Sequence, residues 1–217
     1  MNNLDANQFC PYRTIHRETD IEFTERKSLF IGHAKPVSTE SEAIDYIAKQ
    51  RTRYRDATHN VYAYRLRNNH ICRYSDDGEP QGTGGLPVLE VITKKGLTDV
   101  CVVVTRYFGG ILLGTGGLTR AYSQGCKGAI EHSGIAEMTE CSCFDIECDY
   151  GFYNTLQSIF SSFSVKTETS DFADSVKLSC FIKDDEFELL NKELSERFSG
   201  KIQPKFKNKK YFLFDVK

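Results

Sequence analysis

The sequence predicts a mixed α+β protein built from two domains. Glycine is the first indication, because 13 of the 16 glycines in this 217-residue chain lie between Gly78 and Gly134. The second is that stretches with strand periodicity alternate with stretches of helical periodicity. The third is the order β-α-β-β-α-β in the last part of the chain, which is the ferredoxin-like pattern. The change in glycine content predicts domains of residues 1–138 and 139–217.

The first domain is predicted to alternate strands with helices. Its predicted strands cover residues 22–36, 60–66, 71–74 and 100–108. Three helices are predicted. The first begins at a cap that is Ser38, Thr39 or Ser41, and its apolar stripe is Ala43, Ile44, Ile47 and Ala48. The other two cover residues 86–93 and 118–132. The strand at 100–108 is apolar without interruption, which is expected when both faces are covered. Small residues in the last helix, such as Gly125, favour close approach of another backbone.

The second domain is predicted to hold four strands and two helices. The strands cover residues 142–150, 164–169 and 175–182, with a last strand or a hairpin at 201–216. The helices carry the apolar residues Phe152–Phe163 and Phe187–Phe198. Alternation places Cys148 on the core face. Because Cys141, Cys143 and Cys148 lack zinc-site spacing, we interpret them as small hydrophobic residues.

Composition excludes several classes of protein. Hydrophobic residues make up 40% and aromatic residues 12% of the chain, which is enough to bury and excludes a disordered protein. No apolar run approaches the roughly 20 residues that span a bilayer, so we expect no membrane partner. The first 20 residues are polar, and the eight cysteines lack framework spacing. We therefore expect a cytoplasmic protein.

Charge is distributed unevenly behind a net value of −2. Residues 51–73 contain six Arg against one Asp, and residues 201–217 contain six Lys against one Asp, whereas residues 139–200 carry 5 Lys and Arg against 13 Asp and Glu. The basic stretches favour local contacts with anions, and solvated faces are the alternative.

The pentapeptide Gly-Thr-Gly-Gly-Leu occurs at residues 82–86 and again at 114–118, each time before a predicted helix. Glycines at that place leave N–H groups bare at the positive end of the helix dipole, which suits a phosphate. Nucleotide motifs are incomplete, since Thr115 replaces the P-loop Lys and Thr119 the third fingerprint Gly. Tight turns and close packing are the alternative. The residues predicted to bind phosphate or RNA are Gly82, Thr83, Gly84, Gly85, Arg106, Gly114, Thr115, Gly116, Gly117 and Arg120.

An acidic turn contains Asp76, Asp77 and Glu79. Carboxylates with water are typical Mg²⁺ ligands, so these three residues are the candidate metal ligands and Mg²⁺ is the candidate cofactor. His59 is the candidate general base if the protein is an enzyme. A hairpin turn in which Asp accepts local N–H groups, with His59 as a structural cap, is the alternative.

Several of these segments resemble signatures of the Impact family of YigZ-like proteins, bacterial two-domain type. They are DDGEPQGTGGLP at residues 76–87, VVTRYFGGI at 103–111, LGTGGLTRAY at 113–122, DATH at 56–59 and KSLF at 27–30. The resemblance covers about residues 15–135, with Gly84 where the family commonly has Ala.

The resemblance implies a first domain with the fold shared by a small-subunit ribosomal protein domain, RNase PH and elongation factor G. It implies a second, ferredoxin-like domain similar to the C-terminal domain of elongation factor G. It also implies relatives that regulate translation, without an established catalytic activity.

Three functions are compatible with these patterns. The leading hypothesis is a non-catalytic cytosolic factor that binds RNA or a ribonucleoprotein, with the ribosome or translation machinery as partner. A Mg²⁺-dependent phosphoesterase or phosphate-metabolite enzyme is the first alternative, and a protein-interaction module that exposes Tyr107 and Phe108 is the second. For the leading hypothesis we expect both glycine copies at one end of the sheet, directed at a common groove with Arg106.

Overall fold

The computed structural model describes residues 11–215 and divides them into two compact units. One unit contains Tyr12–Glu137 together with residues 213–215, and the other contains Met138–Phe212. The first half of the predicted polar segment at the N-terminus, with Cys10, lies outside the described residues. None of the five described helices has the length and apolar character that crossing a bilayer requires.

The first unit is a five-stranded antiparallel sheet with helices on both faces. Its elements are β1 (Tyr12–Ile15), β2 (Thr19–Glu25), β3 (Ser28–Pro36), α1 (Glu40–Arg53), β4 (His59–Arg65), β5 (Cys72–Ser75), α2 (Gly85–Lys94), β6 (Val100–Tyr107) and α3 (Gly114–Ser133). The strand order is β2-β3-β6-β4-β5. β1 lies outside this sheet and pairs with β7 (Ile135–Cys148), and next to this pairing the His16 N–H donates to Gly134 O over 2.9 Å.

β6 is the central strand and is buried on both faces. Val102 and Val104 pack into the core that α2 and α3 cover, while Cys101 and Val103 pack into the core beneath α1. This arrangement confirms the prediction made from the uninterrupted apolar run, because a strand covered on both sides has no solvent face to alternate with.

The predicted single strand over residues 22–36 is wrong, since this stretch is the hairpin of β2 and β3. Arg26 and Lys27 form the two-residue turn with φ of 44° and 62°, and Glu25 pairs with Ser28. Such a turn needs left-handed backbone, which Asn-Gly or Asp-Gly usually supplies. An Arg-Lys pair therefore carries no turn signal in the sequence.

α1 begins after Thr39, whose Oγ1 accepts the Glu42 N–H over 3.2 Å, as one of the predicted caps. Its buried side chains are Ala43, Tyr46, Ile47 and Gln50. Ile44 and Ala48 are predicted for this stripe and are wrong, since both are exposed, Ile44 by 54%. The buried stripe follows the i, i+3, i+4, i+7 spacing from Ala43, and Ile44 lies one residue off it.

α3 contacts the sheet backbone to backbone. A Cβ atom at Gly32 of β3 would lie 2.3 Å from Gly125 O of α3. Glycine at both positions therefore permits the close approach that the small residues of this helix predicted.

The second unit has the predicted order β-α-β-β-α-β. Its elements are β7 (Ile135–Cys148), α4 (Tyr150–Phe160), β8 (Lys166–Phe172), β9 (Val176–Lys183), α5 (Phe187–Phe198) and β10 (Lys205–Asp215), with β7 starting in the first unit and β10 ending there. β7 pairs with β9 and β10, and β9 pairs with β8. Cys148 lies in the core of this unit with Phe144, Leu156 and Leu190, on the face predicted for it.

Candidate functional site

The end of β6 brings three separate segments together. Arg106, the last but one residue of β6, is paired across the sheet with Phe30 of β3 and His59 of β4. The Thr58 N–H, just before β4, donates to Arg106 O over 2.9 Å. The register of the sheet alone therefore places the starts of β3 and β4 beside the loop that leads from β6 to α3.

A buried ion pair joins Arg106 to Glu79 of the acidic turn. Arg106 Nη1 donates to Glu79 Oε1 over 2.6 Å, and the Tyr122 hydroxyl of α3 donates to the same oxygen over 2.7 Å. The two charged side chains are only 6% and 3% exposed. Burial, reinforced by the bond to Glu79, raises the pKa of Tyr122, so this phenol stays protonated and donates. Glu79 therefore matches the charge of Arg106 before any ligand binds.

The remaining contacts of Arg106 hold its guanidinium in place. Its Nη2 lies 3.4 Å from Ser28 Oγ, and the rings of Phe30 and Phe108 have their centroids 5.6 and 5.4 Å from its Cζ. Its Nε is buried and has no hydrogen-bond partner among the described atoms. Arg106 is thus a positioned wall of the site and not a mobile surface cation.

His59 is fixed in one tautomer by a backbone carbonyl. Its Nδ1 lies 2.8 Å from Asp77 O, and because a carbonyl oxygen only accepts, Nδ1 carries a proton. The other nitrogen, Nε2, lies 3.8 Å from Glu79 Oε2. The atom of His59 that is available to a ligand is therefore Nε2.

The Asp76 carboxylate closes the first glycine copy. It accepts the N–H groups of Gly82 and Gly84 over 2.9 Å and of Gly85 over 2.8 Å. These are N–H groups of the kind that the sequence assigned to a phosphate. In the structure, the chain's own carboxylate therefore occupies the N-terminus of α2.

Asp77 is engaged in a different way. Its Oδ2 accepts the Asn60 N–H over 2.6 Å, and its Oδ1 accepts Arg51 Nη2 over 2.5 Å. Among residues 11–215, no group of three His, Cys, Asp or Glu side chains is arranged to hold a metal ion. Magnesium binding by Asp76, Asp77 and Glu79 stays a prediction, and it now requires that the bonds just described be broken.

The second glycine copy has the opposite environment. Gly114, whose φ of 73° matches the 76° of Gly82, opens α3 directly, so the helix starts four residues before the predicted Leu118. Among the residues that the structure describes, no side chain accepts an N–H group of this N-terminus, and its first turn holds no acidic residue. Arg120 is exposed, with its Nη1 3.8 Å from the position of a Cβ at Gly116. The positive end of α3 therefore faces solvent with a cation nearby.

A cleft of about 410 Å³ opens between this N-terminus and the buried ion pair. Its polar lining comes from Thr58, His59, Glu79, Arg106, Gly114 and Thr115, and its apolar lining from Pro80, Phe108, Leu112, Leu113 and Leu118. The cleft thus unites predicted residues from three separate parts of the sequence, 58–59, 79–80 and 106–118.

The expected convergence is met for one glycine copy and not for the other. Glu79, Arg106 and the second copy share the cleft, whereas Asp76, Asp77 and the first copy are absent from its lining. Sequence reasoning missed Tyr122 as the partner of Glu79. That bond joins residues 43 positions apart, and the sequence marks Tyr122 only as part of a predicted helix and of a family signature.

Cations without a partner surround the same end of the sheet. Within the described range Tyr12–Glu137, most Lys and Arg side chains bond a carboxylate or a carbonyl oxygen. Those with no ion pair or side-chain hydrogen bond in that range are Arg13, Arg26, Lys27, Arg55 and Arg120. All except Arg13 belong to segments that contact or follow the loop between β6 and α3. The turn at Lys27 touches Gly109, where a Cβ would lie 1.9 Å from Lys27 O, and Arg55 lies three residues before Thr58.

Comparison with known proteins finds matches for both units. A family model described as the Impact N-terminal domain matches residues 26–130, and one described as a domain of unknown function (DUF1949) matches residues 146–201. The chain is 36% identical over 191 residues to the IMPACT family member YvyE of Bacillus subtilis (strain 168), which covers 88% of each protein.

Two further matches extend over much of the chain. It is 31% identical over 150 residues to the IMPACT family member YigZ of Escherichia coli (strain K12), covering 68% of this chain and 74% of that protein. A crystal structure described as that of a hypothetical protein superposes with a TM-score of 0.57 at 25% identity, covering 95% of this chain and 98% of the other. The cleft lies wholly within the range that the first family model matches.

Proposed function

The chain belongs to the IMPACT family, and from that membership we propose that it is a non-catalytic cytoplasmic factor that binds RNA or a ribonucleoprotein and modulates translation. We assign the cleft at the end of β6 to the RNA, with a backbone phosphate at the N-terminus of α3. The motif resemblance implies relatives that regulate translation, and it supports that part of the proposal by analogy.

The contrast between the two glycine copies carries the proposal. Both copies present backbone N–H groups at the start of a helix, where the dipole favours negative charge. Asp76 satisfies the first copy from within the chain, whereas among residues 11–215 no side chain accepts the N–H groups at the start of α3. An external anion at Gly114–Thr115 supplies for α3 what Asp76 supplies for α2.

The distribution of cations supports a polyanion over a single small anion. Arg26 and Lys27 form the turn whose backbone touches Gly109, and Arg120 lies in α3. Arg55 lies three residues before Thr58, and none of the four has an ion pair or side-chain hydrogen bond among the described residues. A strand whose phosphates lie several ångströms apart contacts more than one of them at once, and each contact releases counterions. The net charge of −2 shows that this is a local basic surface and not a property of the whole chain.

The two alternative functions have less support. A Mg²⁺-dependent phosphoesterase needs carboxylates that Asn60, Arg51 and the first glycine copy already engage. Of the two aromatics assigned to a protein-interaction patch, Tyr107 bonds Asp56 over 2.9 Å and Phe108 is 45% exposed. Phe108 lines the cleft, so its exposure is compatible with the RNA proposal as well.

Fluorescence anisotropy with a labelled single-stranded RNA tests the proposal. Wild type is compared with Thr115→Asp, which places a carboxylate at the mouth of the cleft, and with Thr115→Asn, which has the same size without the charge. A carboxylate in the first turn of a helix favours folding, so the Asp variant remains folded. We expect it to bind RNA roughly tenfold more weakly than the Asn variant, about 1.4 kcal/mol.

The salt dependence is the second readout. The affinity of wild type is expected to fall steeply between about 50 and 200 mM salt, as phosphate contacts require. Absence of binding at the lower salt concentration would falsify the proposal. Equal RNA affinities of the two Thr115 variants would contradict the placement of a phosphate at the N-terminus of α3.

A further inference from the structure

The cleft has two chemically different kinds of lining. Arg106, His59 and the N-terminus of α3 supply its polar wall, while Phe108, Leu112 and Leu113 supply its apolar wall. A phosphate alone, or the backbone of a duplex, uses only the polar wall. A nucleotide has a phosphate at one end and an apolar ring face at the other.

Resting on the function proposed above, we propose that the cleft takes one unstacked nucleotide of single-stranded RNA. Its phosphate lies at the N-terminus of α3, and its base packs against Phe108 with Leu112 and Leu113 beside it. The volume of about 410 Å³ is near the lower end of ordinary ligand pockets, so it suits one nucleotide and not a longer segment.

The aromatic wall is held in place before any ligand binds. The Phe108 N–H donates to Thr58 Oγ1 over 3.1 Å, and the Gly109 N–H donates to Ser28 Oγ over 3.2 Å. Gly109 also packs directly on the backbone of Lys27. These contacts anchor the loop where it leaves β6. The backbone at Phe108 is therefore already ordered before a base packs on the ring, which lowers the entropy lost on binding.

The loop between β6 and α3 exposes three large apolar side chains. Phe108 is 45%, Ile111 40% and Leu112 80% exposed, and of these Phe108 and Leu112 line the cleft. The Arg106 guanidinium, 5.4 Å from the centroid of Phe108, polarises the ring from the protein side. Aromatic side chains next to a basic groove are the combination by which proteins bind single-stranded nucleic acid without reading its sequence.

The geometry also selects against a duplex. A base inside an A-form helix is stacked and paired, so its face is not free to reach Phe108. Binding of duplex RNA would use the cations around the cleft and leave the apolar wall empty. The proposal therefore predicts a preference for the single strand that electrostatics alone does not give.

The experiment measures the affinities of four probes for the full chain. They are a short single-stranded RNA with 2-aminopurine at its centre, the same strand annealed to its complement, adenosine monophosphate, and inorganic phosphate. The variants are Phe108→Ala, the conservative Phe108→Tyr, and Ile44→Ala as a matched control. Ile44 is an exposed apolar residue of α1, 54% accessible and outside the cleft. Circular dichroism verifies the fold of each variant.

We expect Phe108→Ala to bind the single strand roughly 5- to 150-fold more weakly, as loss of one base-stacking contact implies. Phe108→Tyr retains the ring and most of the affinity, and Ile44→Ala binds like wild type. The 2-aminopurine fluorescence is expected to rise when wild type binds, because the base leaves its neighbours in the strand. Phe108→Ala abolishes that rise.

The other outcomes separate this inference from the function on which it rests. Equal affinity for single strand and duplex, with no effect of Phe108→Ala and a retained salt dependence, overturns the nucleotide pocket and leaves RNA binding standing. If adenosine monophosphate binds as tightly as the single strand, the occupant of the cleft is a free mononucleotide and not RNA. Failure of either RNA to bind at low salt removes both proposals.

Discussion

Glu79 Oε1 and Arg106 Nη1 lie 2.6 Å apart, with both side chains more than nine-tenths buried. The pair joins the acidic turn to the end of β6, so two motifs that look separate in the sequence form one wall of the cleft. Because the two charges cancel, the positive character of the cleft comes from the N-terminus of α3 and from the unpaired cations around it.

Breaking this pair is expected to destabilise the first unit strongly. Glu79→Gln leaves Arg106 as a buried charge without a counterion, which costs about 3–5 kcal/mol of the free energy of unfolding. Tyr122→Phe removes only one hydrogen bond to the carboxylate and is expected to cost about 1.5–3 kcal/mol. Urea denaturation of the three proteins gives this ranking, and an equal stability of Glu79→Gln and wild type would contradict it.

Asp76 is expected to stabilise the protein through the loop it closes. Asp76→Ala leaves three N–H groups at the start of α2 without their acceptor, and we expect a loss of about 2 kcal/mol or more in the free energy of unfolding. Thr115→Ala, at the uncapped start of α3, is the matched change and is expected to stay within about 0.5 kcal/mol of wild type. Similar losses of stability in Asp76→Ala and Thr115→Ala would contradict the conclusion that a carboxylate closes only the first glycine copy.

Two glycines at the cleft are expected to respond oppositely to alanine. A Cβ at Gly109 would lie 1.9 Å from Lys27 O, so Gly109→Ala forces two backbones apart and costs about 1–3 kcal/mol. At Gly116 the nearest atom is the flexible end of Arg120 at 3.8 Å, and Ala is expected to stabilise the helix by about 0.5–1 kcal/mol. Melting temperatures that shift in the same direction would refute the close contact at Gly109.

Acid is expected to weaken the first unit through His33. Burial lowers the pKa of His33 below its ordinary 6.5, although the 2.7 Å hydrogen bond to Asp20 opposes this shift and Arg53 adds to it. The unfolded chain therefore takes up a proton at a higher pH than the folded chain does. Stability is full above about pH 6.5 and decreases as the pH falls from there toward the folded pKa.

Denaturation between about pH 7.5 and 5.5 measures this effect. His33→Gln removes the titrating group and is expected to flatten the slope in that window, whatever its own stability. A slope that is identical in the two proteins would assign the pH dependence to other groups.

Metal removal is expected to change nothing in the folded protein. Asp76 and Asp77 already accept hydrogen bonds within the chain, and Glu79 is paired with Arg106. Thermal melts in Mg²⁺ and in EDTA are therefore expected to coincide. A higher melting temperature in Mg²⁺ that disappears in Asp77→Asn would instead support a metal at the acidic turn.

The fold could be predicted where burial leaves a mark on the sequence. The apolar run of β6 indicated a strand covered on both faces, and the order of elements in the second unit followed from alternating periodicities. The turn at Arg26 and Lys27 could not be predicted, because the pairing of β2 with β3 overrides the weak preference of these residues for left-handed backbone.

The candidate site could be predicted only as a neighbourhood. Arg106 and the second glycine copy lie within a few residues of the same strand end, so their proximity follows from chain connectivity. The closure of the first copy by Asp76 and the pairing of Arg106 with Glu79 depend on how distant segments meet. Two identical pentapeptides carry no information about which of them a carboxylate will reach.

The contact between Gly32 and Gly125 has a kinetic consequence for any ligand of α3. A helix whose backbone rests directly on a strand has no layer of side chains over which to slide, so its N-terminus is a rigid receptor. Association is then expected to occur in one step, with an observed rate that rises linearly with RNA concentration and does not level off. In stopped-flow measurements, an observed rate that levels off at high RNA concentration would reveal a slow rearrangement, which this packing does not allow.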